Sequence, residues 1–515
     1  MKVHLMHMDR GFDPKAAQPA QAADLTRDLG LDHVFAAMAG TDNFLMEIAK
    51  AALFGRLDDP KAIGYRQHVL RDCLENAAVV RELYSVAAQA LEGERRVWRT
   101  TLNRYPDRVL YWSIQLLGLF FSHLRRLRDM AFNHGGRFES AGFKNLFGTL
   151  IAELDDRYLA EVERHLQQLG LRNGVLMRAA LGPANKGDVY QLLEPRRSVP
   201  RWGRELRRLI DKWPHRERSA YVYQLAERDE SGANSLLELR NRALASVAAV
   251  LGQAADQVLS FFVALRTELA FYIACLNLRD RLAEKHAPVS FAEVLSVTER
   301  TFEGTGLYDL SLCLTQTKNI VGNAINASHK PLIVITGANR GGKTTMLRAI
   351  GQAQLMMQAG MFVPAESMRA SVCHGLFTHF KREEDAGMKS GKFDEELARM
   401  SWIVERLRPN ARVLCNESFA ATNAREGAKI AGEIVRALMA RSISIVFVTH
   451  LFDLADDLHR HLLREALFLR AERLQDGRRT FRLLEGAPLP TSYGEDVFRR
   501  IFAVEAPSAT EHSPA

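Results

Sequence analysis

Cysteine is scarce and scattered. Cys73, Cys275, Cys313, Cys373 and Cys415 form no Cys-x-x-Cys pair and have no histidine at ligand spacing. That pattern excludes a disulfide framework and a sequence-encoded zinc site, and it suits a reducing cytoplasm. The first 25 residues, MKVHLMHMDRGFDPKAAQPAQAADL, hold no apolar core of signal-peptide length. The best membrane candidate, FFVALRTELAFYIACL at 261–276, is short for a span and carries Arg266 and Glu268, so it reads as a buried helix and no membrane partner is expected. Strand-like alternation is almost missing from residues 21–287, where proline and glycine concentrate in LGPANKGD (181–188) and LEPRRSVPRWGRE (193–205), read as breaks between helices. No internal repeat is evident. Charge of neither sign dominates: the net +8 permits an anionic partner such as nucleic acid without requiring one.

What is there divides into two grammars. At 515 residues the chain exceeds one ordinary core. From about 21 to 287 apolar residues recur at three and four, as in VFAAMAGTDNFLMEIAKAALFGRL, and Ser235 to about Lys285 reads as one helix of ~50 residues, ~75 Å long at 1.5 Å per residue. Such a helix outruns a globular core and suits a lever. After EKHAPVS the pattern changes. PLIVIT (331–336), ARVLCNE (411–417), SISIVFVT (442–449) and EALFLRAE (465–472) are short β-rich runs between helical stretches, as in a largely parallel sheet, with ARVLCNE expected beside PLIVIT. RLQDGRRTFRLLEG (473–486) reads as a hairpin turning at Asp476-Gly477, and the segment after Val504 as a disordered tail.

GANRGGKTT (337–345) satisfies Gly-x-x-x-x-Gly-Lys-Thr between a strand and a helix, the setting in which backbone N–H groups and a helix N-terminus converge on phosphates. The loop residues Gly337, Ala338, Asn339, Arg340, Gly341, Gly342, Lys343, Thr344 and Thr345 are therefore expected to hold a nucleotide, ATP with Mg²⁺. Lys343 would neutralise the β- and γ-phosphates, and the Thr344 hydroxyl would ligate the metal. Asn416-Glu417 closes the strand of VLCNESFAATNAREG (413–427). Glu417 is the natural base or water-orienting group, whereas Asn416 stands where an aspartate usually completes the metal's outer shell through water. An amide still accepts from metal-bound water but adds no charge, so weaker Mg²⁺ binding and a slower cycle are expected. His450, at the end of SISIVFVTH, is placed to sense the γ-phosphate.

Five blocks, ITGANRGGKTTMLR, AGMFVPAES (359–367), NESFAATNAREG, VTHLFDLA and TSYG (491–494), together resemble the ATPase domain of the MutS family, in that family's order across roughly the last 220 residues. The helical part resembles the family's core, lever and clamp less closely, through IGYRQHVLRDCLE (63–75) and TELAFYIACLNLRDRLAE (267–284). The resemblance implies a mainly α core, lever and clamp region followed by an α/β P-loop ATPase domain of the ABC type. Its expected divisions are a 1–20 tail, a 21–150 core and lever region, a 151–234 clamp-like helical insertion, a 235–287 lever helix, a 288–505 ATPase domain and a 506–515 tail. It implies Glu417 and His450 as catalytic residues and a head-to-head dimer with composite sites, into which Ser390, Thr422, Glu426 and Gly427 would reach.

The departures are specific. The family's Ser-Thr-Phe-Met block is matched only by SGKFDEE (390–396), where Phe393 and Glu396 align and Ser390 is a substitute donor. The Phe-x-Glu tripeptides at 291–293 and 393–395 are in the wrong context for a mismatch wedge. No mismatch-reading or connector domain is expected ahead of the core, nor an Smr domain after the ATPase. The expected function is thus ATP-driven control of a homodimeric clamp on double-stranded DNA, branched or recombining forms included, in repair or recombination. The best candidate for the grip is RRSVPRWGRELRRLIDKWPHRER (196–218), in which Arg196, Arg197, Arg201, Arg204, Arg207 and Arg208 would meet phosphates and Trp202 and Trp213 would stack. A solvated basic helix is the plain alternative. Competing functions are a nucleotide-gated scaffold with negligible hydrolysis that recruits a protein, and an ATPase acting on RNA or an acidic protein.

Overall fold

The computed structural model describes residues 1–98, 105–170, 176–181, 187–193, 229–317, 320–382, 391–474 and 478–489. The segment 196–218, Ser390, the TSYG block, the Asp476-Gly477 turn and the expected tail at 506–515 lie outside the described residues. Two units divide the chain: one of residues 1–3, 82–135 and 146–266, the other of 4–81, 136–145 and 267–515.

The second unit carries the β structure. Short apolar runs become strands wherever both faces can be covered. β1 (Met177–Leu181) and β2 (Gly187–Leu192) belong to the first unit; β3 (Glu293–Leu295), β4 (Phe302–Leu307), β5 (Asn323–Asn326), β6 (Leu332–Gly337), β7 (Ser367–Ser371), β8 (Leu376–Phe380), β9 (Arg412–Asn416), β10 (Ser444–Val448), β11 (Ala466–Arg473) and β12 (Arg479–Glu485) belong to the second. Its larger sheet has the order β12-β11-β6-β10-β9-β8, parallel throughout except for β12. Leu332, Val334, Val413, Cys415, Ile445 and Phe447 face one layer of core with Ala431 and Val435 of the helix Ala424–Ala440 and Leu454 and Leu458 of the helix Phe452–Leu462. Leu414 points the other way, onto Gly351 of the helix Lys343–Gln358, where a Cβ would come within 2.7 Å of it. A smaller sheet, β3-β7-β4-β5, was not legible in advance.

Several expectations are corrected here. The strand ending in Asn416-Glu417 is not beside the loop's strand: β10 lies between β6 and β9, pairing Val446 with Ile333 on one side and with Leu414 on the other. The β-rich run expected at 465–472 is a strand of the sheet, and it is also the first strand of the hairpin expected over 473–486 alone, since β11 pairs parallel with β6 and antiparallel with β12. Residues 1–20 do not form a loose tail. Leu5 and Met6 are fully buried, and their amides donate to Glu268 Oε2 at 2.6 and 3.0 Å. Arg66 Nε returns a bond to the Met6 carbonyl at 3.1 Å. A carboxylate buried inside an apolar run thus acts as an anchor for the amino-terminal strand of chain, which an unlabelled Glu268 could not announce.

In the first unit the helices Pro106–His134 and Asp156–Leu169 join the helix Glu230–Glu284, whose 55 residues begin five earlier than expected and continue into the second unit. Phe120 and Phe262 stack at 5.3 Å, and Leu110, Leu244 and Ala248 form a second contact. The reading of 21–287 as almost wholly helical, with 181–188 a break between helices, is corrected at the β1–β2 hairpin, paired from Met177↔Leu192 to Leu181↔Gly187. Among the described residues Glu230–Glu284 is the helix long and apolar enough to cross a membrane, and 67% of its apolar window is buried in protein. Phe261, Phe262, Leu265, Leu269 and Phe271 account for that burial.

Candidate active site

The carboxyl edge of the larger sheet gathers the chemistry. β6 ends at Gly337 with φ +113°, where a Cβ would lie 2.8 Å from the Ala471 amide nitrogen of β11. The chain then turns tightly, with Gly341 N donating to Ala338 O at 3.1 Å. Arg340 and Gly342 also take positive φ, +60° and +92°, before Lys343 opens its helix. Gly341 is forced by closeness: its Cβ would lie 2.8 Å from both Ala338 O and Ala471 Cβ. Ala338 is buried, whereas Asn339 and Arg340 are exposed at the tip and Thr345 is half-buried in the first helical turn. Lys343 is buried with its Nζ donating to Gly337 O at 2.9 Å and Ala338 O at 3.1 Å. Burial lowers its pKa, the carboxylate of Glu417 opposes that shift, and Arg479 adds to it.

Thr344 Oγ1 donates to Asn416 Oδ1 at 3.0 Å, so the loop and the end of β9 meet directly across the intervening strand. Glu417 follows at φ +54°, a left-handed position for a residue with a Cβ, fixed by its amide donating to Val448 O at 2.9 Å. Its carboxylate lies 3.8 Å from His450 Nδ1, long for a hydrogen bond but close for an ion pair. The His450 contact holds the Glu417 carboxyl below the usual carboxylate range, against burial and helped by Lys343 and Lys381. Glu417 is therefore an ionised, half-buried carboxylate within reach of the loop.

What holds this turn was not foreseen. Phe419 is buried at φ +65°, and its ring stacks on His379 at 5.3 Å. His379 Nδ1 meets Ser418 Oγ at 2.7 Å and its Nε2 meets Glu396 O at 3.0 Å. Burial, then Arg399, pushes the His379 pKa down to about 4, so it is neutral at ordinary pH. The Glu396 carboxyl accepts from the amides of Phe419 and Ala421, and burial raises its pKa. Thr422 Oγ1 donates to Glu426 Oε2 at 3.1 Å, and Asn423 caps the helix Ala424–Ala440 by accepting from Arg425 N. Gly427 is required because a Cβ there would overlap the Phe419 carbonyl oxygen. Phe481 was missed as well. It is 49% exposed at φ +60°, lies beside Gly342, and its carbonyl accepts from Asn323 Nδ2 at 3.1 Å. A lone phenylalanine after a turn gives no sequence signal of that proximity.

The structure thus brings together the 337–345 loop, Asn416, Glu417 and His450, and places Thr422 on the adjoining turn with Glu426 and Gly427 at the start of the helix that follows. Arg196, Arg197, Arg201, Trp202, Arg204, Arg207, Arg208, Trp213 and Ser390 fall outside the described residues.

Two family models match the chain: the MutS2 N-terminal domain over residues 58–285 and MutS domain V over 333–506. "MutS protein homolog 4" of Mus musculus is 26% identical over 219 residues, 41% of this chain and 22% of that protein. "DNA mismatch repair protein MutS" of Thermotoga sp. (strain RQ2) is 33% identical over 146 residues, 28% of this chain and 18% of the relative. The protein of the same name from Thermus aquaticus is 32% identical over 134 residues, 26% and 16% of the two chains. The matched stretch spans about a fifth of the length of these relatives. With both models matching in sequential order and the glycine-rich loop inside the second, the chain belongs to the MutS family.

Proposed function

We propose that this protein binds and hydrolyses ATP with Mg²⁺ and uses the nucleotide state to control the grip of a homodimer on double-stranded DNA, in repair or recombination. The observation that carries the reading is the direct Thr344–Asn416 hydrogen bond beside the Glu417–His450 pair. Metal and water chemistry at the end of the glycine-rich loop would use these groups, the Thr344 hydroxyl, the Asn416 oxygen and the ionised Glu417 carboxylate.

The donor set suits a hard divalent cation, since the Thr344 and Asn416 oxygens are 3.0 Å apart and Glu417 supplies negative charge nearby. Thr344 would hold Mg²⁺ and Asn416 would reach it through water; bound there, the ion neutralises charge on the triphosphate. The remaining work falls to the chain. Loop amides and the start of the helix Lys343–Gln358 cradle the phosphates, and Lys343 neutralises the terminal ones. Glu417 orients the attacking water, and His450 both keeps it ionised and lies where the terminal phosphate would be sensed. Phe481, whose backbone lies beside Gly342 and whose side chain is half exposed, would offer its ring to the nucleotide base.

Dimerisation would bring Thr422, Glu426, Gly427 and Ser390 toward the partner's nucleotide, and the 196–218 segment would supply salt-dependent DNA contacts. Nucleotide acts on this equilibrium only through differential affinity for the gripping and released states. The test is ATP turnover by the full chain with branched, mismatched and homoduplex DNA, together with DNA affinity against salt. Stimulated or suppressed turnover and a salt slope flattened by Arg-to-Ala changes at 196–218 support the reading. Turnover indifferent to all three DNAs contradicts it.

A second reading rests on Asn416, whose uncharged oxygen is already engaged by Thr344. In that reading the protein is a nucleotide-gated dimeric scaffold with negligible hydrolysis that recruits a protein partner. It requires ATP-dependent dimerisation that Glu417→Gln leaves unchanged.

A further inference from the structure

The opposite edge of the larger sheet has a second set of chemical features. Pro331, Arg412 and Ser444 sit at the amino-terminal ends of β6, β9 and β10, and together with Phe302 of β4 and Met439 and Leu462 at two helix ends they line a cavity of about 370 Å³. That volume is at the low end of the range of small-molecule sites, roughly 300–1,000 Å³. Arg412 dominates it. The side chain is 8% exposed, its Nη1 donates to Gln354 Oε1 at 2.8 Å, and its guanidinium carbon stands 4.5 Å from the Phe302 ring centre. Among the described residues no carboxylate pairs with it.

That arrangement is unusual because buried ions are ordinarily paired. Gln354 and the Phe302 face are neutral, so Nε and Nη2 retain their donor capacity toward the cavity. Burial disfavours the Arg412 charge. The surroundings reinforce the sign. Lys330 lines the same space, donating to the carbonyls of Leu463 and Arg464 at 3.4 and 2.9 Å and so blunting the negative end of the helix Phe452–Leu462. Arg300 stands exposed at the rim, and Glu465, also exposed, is the one carboxylate in the lining. Ile333, Val446 and Leu462 give it an apolar wall, and Thr301, Ser371 and Asn410 a polar one.

We propose that this cavity is a binding site for a small organic monoanion, a carboxylate seated on the Arg412 guanidinium with an apolar body against Phe302, Ile333 and Leu462. Arg412 is the buried guanidinium of the lining, Arg436 being exposed and paired with Asp457, so the site matches a monocarboxylate in charge and in fork geometry; a phosphate dianion would need a second buried donor of charge. The site is separate from the phosphate loop but shares a strand with it, because Arg412 begins β9 and Asn416 ends it.

The test is calorimetric titration of the full chain with benzoate and with its neutral counterpart benzyl alcohol, using wild type, Arg412→Met and Ala440→Trp. Ala440 is an exposed rim residue, so tryptophan there plugs the mouth and leaves the guanidinium in place even where Arg412→Met fails to fold. Expected are one benzoate site per chain, at least tenfold weaker binding of benzyl alcohol, and at least tenfold loss of benzoate affinity in both variants with an unchanged far-ultraviolet dichroism spectrum. The proposal is overturned if wild type shows no saturable benzoate binding, if benzyl alcohol binds as tightly, or if a folded variant binds benzoate like wild type.

Discussion

The two edges of one sheet handle charge in opposite ways. At the carboxyl edge Lys343, Glu417 and His450 are mutually close, two carbonyls accept from Lys343, and left-handed residues at 340, 417 and 419 hold the geometry. At the amino edge a single guanidinium, Arg412, is buried against a glutamine and an aromatic face, and left-handed residues at 300, 410 and 442 turn the chain around it. Both edges carry left-handed residues, so the difference is in the charges: compensating charges suit a site that must position a reaction, whereas an unmatched donor suits one that waits for a counter-ion. The same strand, β9, serves both.

Breaking the carboxyl edge should have the larger effects. Gly427→Ala forces a methyl group into the Phe419 carbonyl; it should destabilise the protein by about 1–3 kcal/mol in urea unfolding and lower turnover with it. His450→Ala should act on the pH profile. The Glu417 pKa is depressed, so its ionised form persists to pH values below the ordinary glutamate range, and the acid limb of turnover should lie correspondingly low. Removing His450 leaves burial, which raises that pKa, and the acid limb should move to higher pH; a limb that stays put would separate His450 from the carboxylate. Asn416→Asp restores a charge where Thr344 already donates, and turnover at limiting Mg²⁺ should rise about fivefold, the value of a contact worth ~1 kcal/mol. An unchanged or lower rate would mean that the amide does not slow the cycle. The smallest effect belongs to the other edge. Arg412→Met exchanges an unpaired buried ion for an apolar chain of similar length, and unfolding stability should change by no more than about 1 kcal/mol.

The difference between the edges also explains what the sequence disclosed. The tight glycine-rich turn between β6 and the helix Lys343–Gln358 was legible because its residues are contiguous: Gly337, Gly341, Gly342 and Lys343 are neighbours in the chain and in space. Asn416 and Glu417 were legible because they end an apolar run. Strand order was not, since the β-rich runs alone do not say that β10 inserts between β6 and β9. The bracing of the Glu417 turn by His379 and Glu396, and the anchoring of Leu5 and Met6 by Glu268, depend on contacts dozens to hundreds of residues apart. The β1–β2 hairpin escaped because MRAAL and GDVYQL are too short and too polar to stand out among helices. Arg412 gave no signal at all, because a strand-opening arginine is usually solvated.

The most direct measurement of the central claim is steady-state ATP turnover by wild type and Glu417→Gln, with ATP affinity determined on the same preparations. The account predicts that the variant binds ATP as wild type does and turns over at least ~100-fold more slowly. Equal turnover in the two proteins, or ATP binding without turnover in either, would contradict the assignment of Glu417 as the group that activates water.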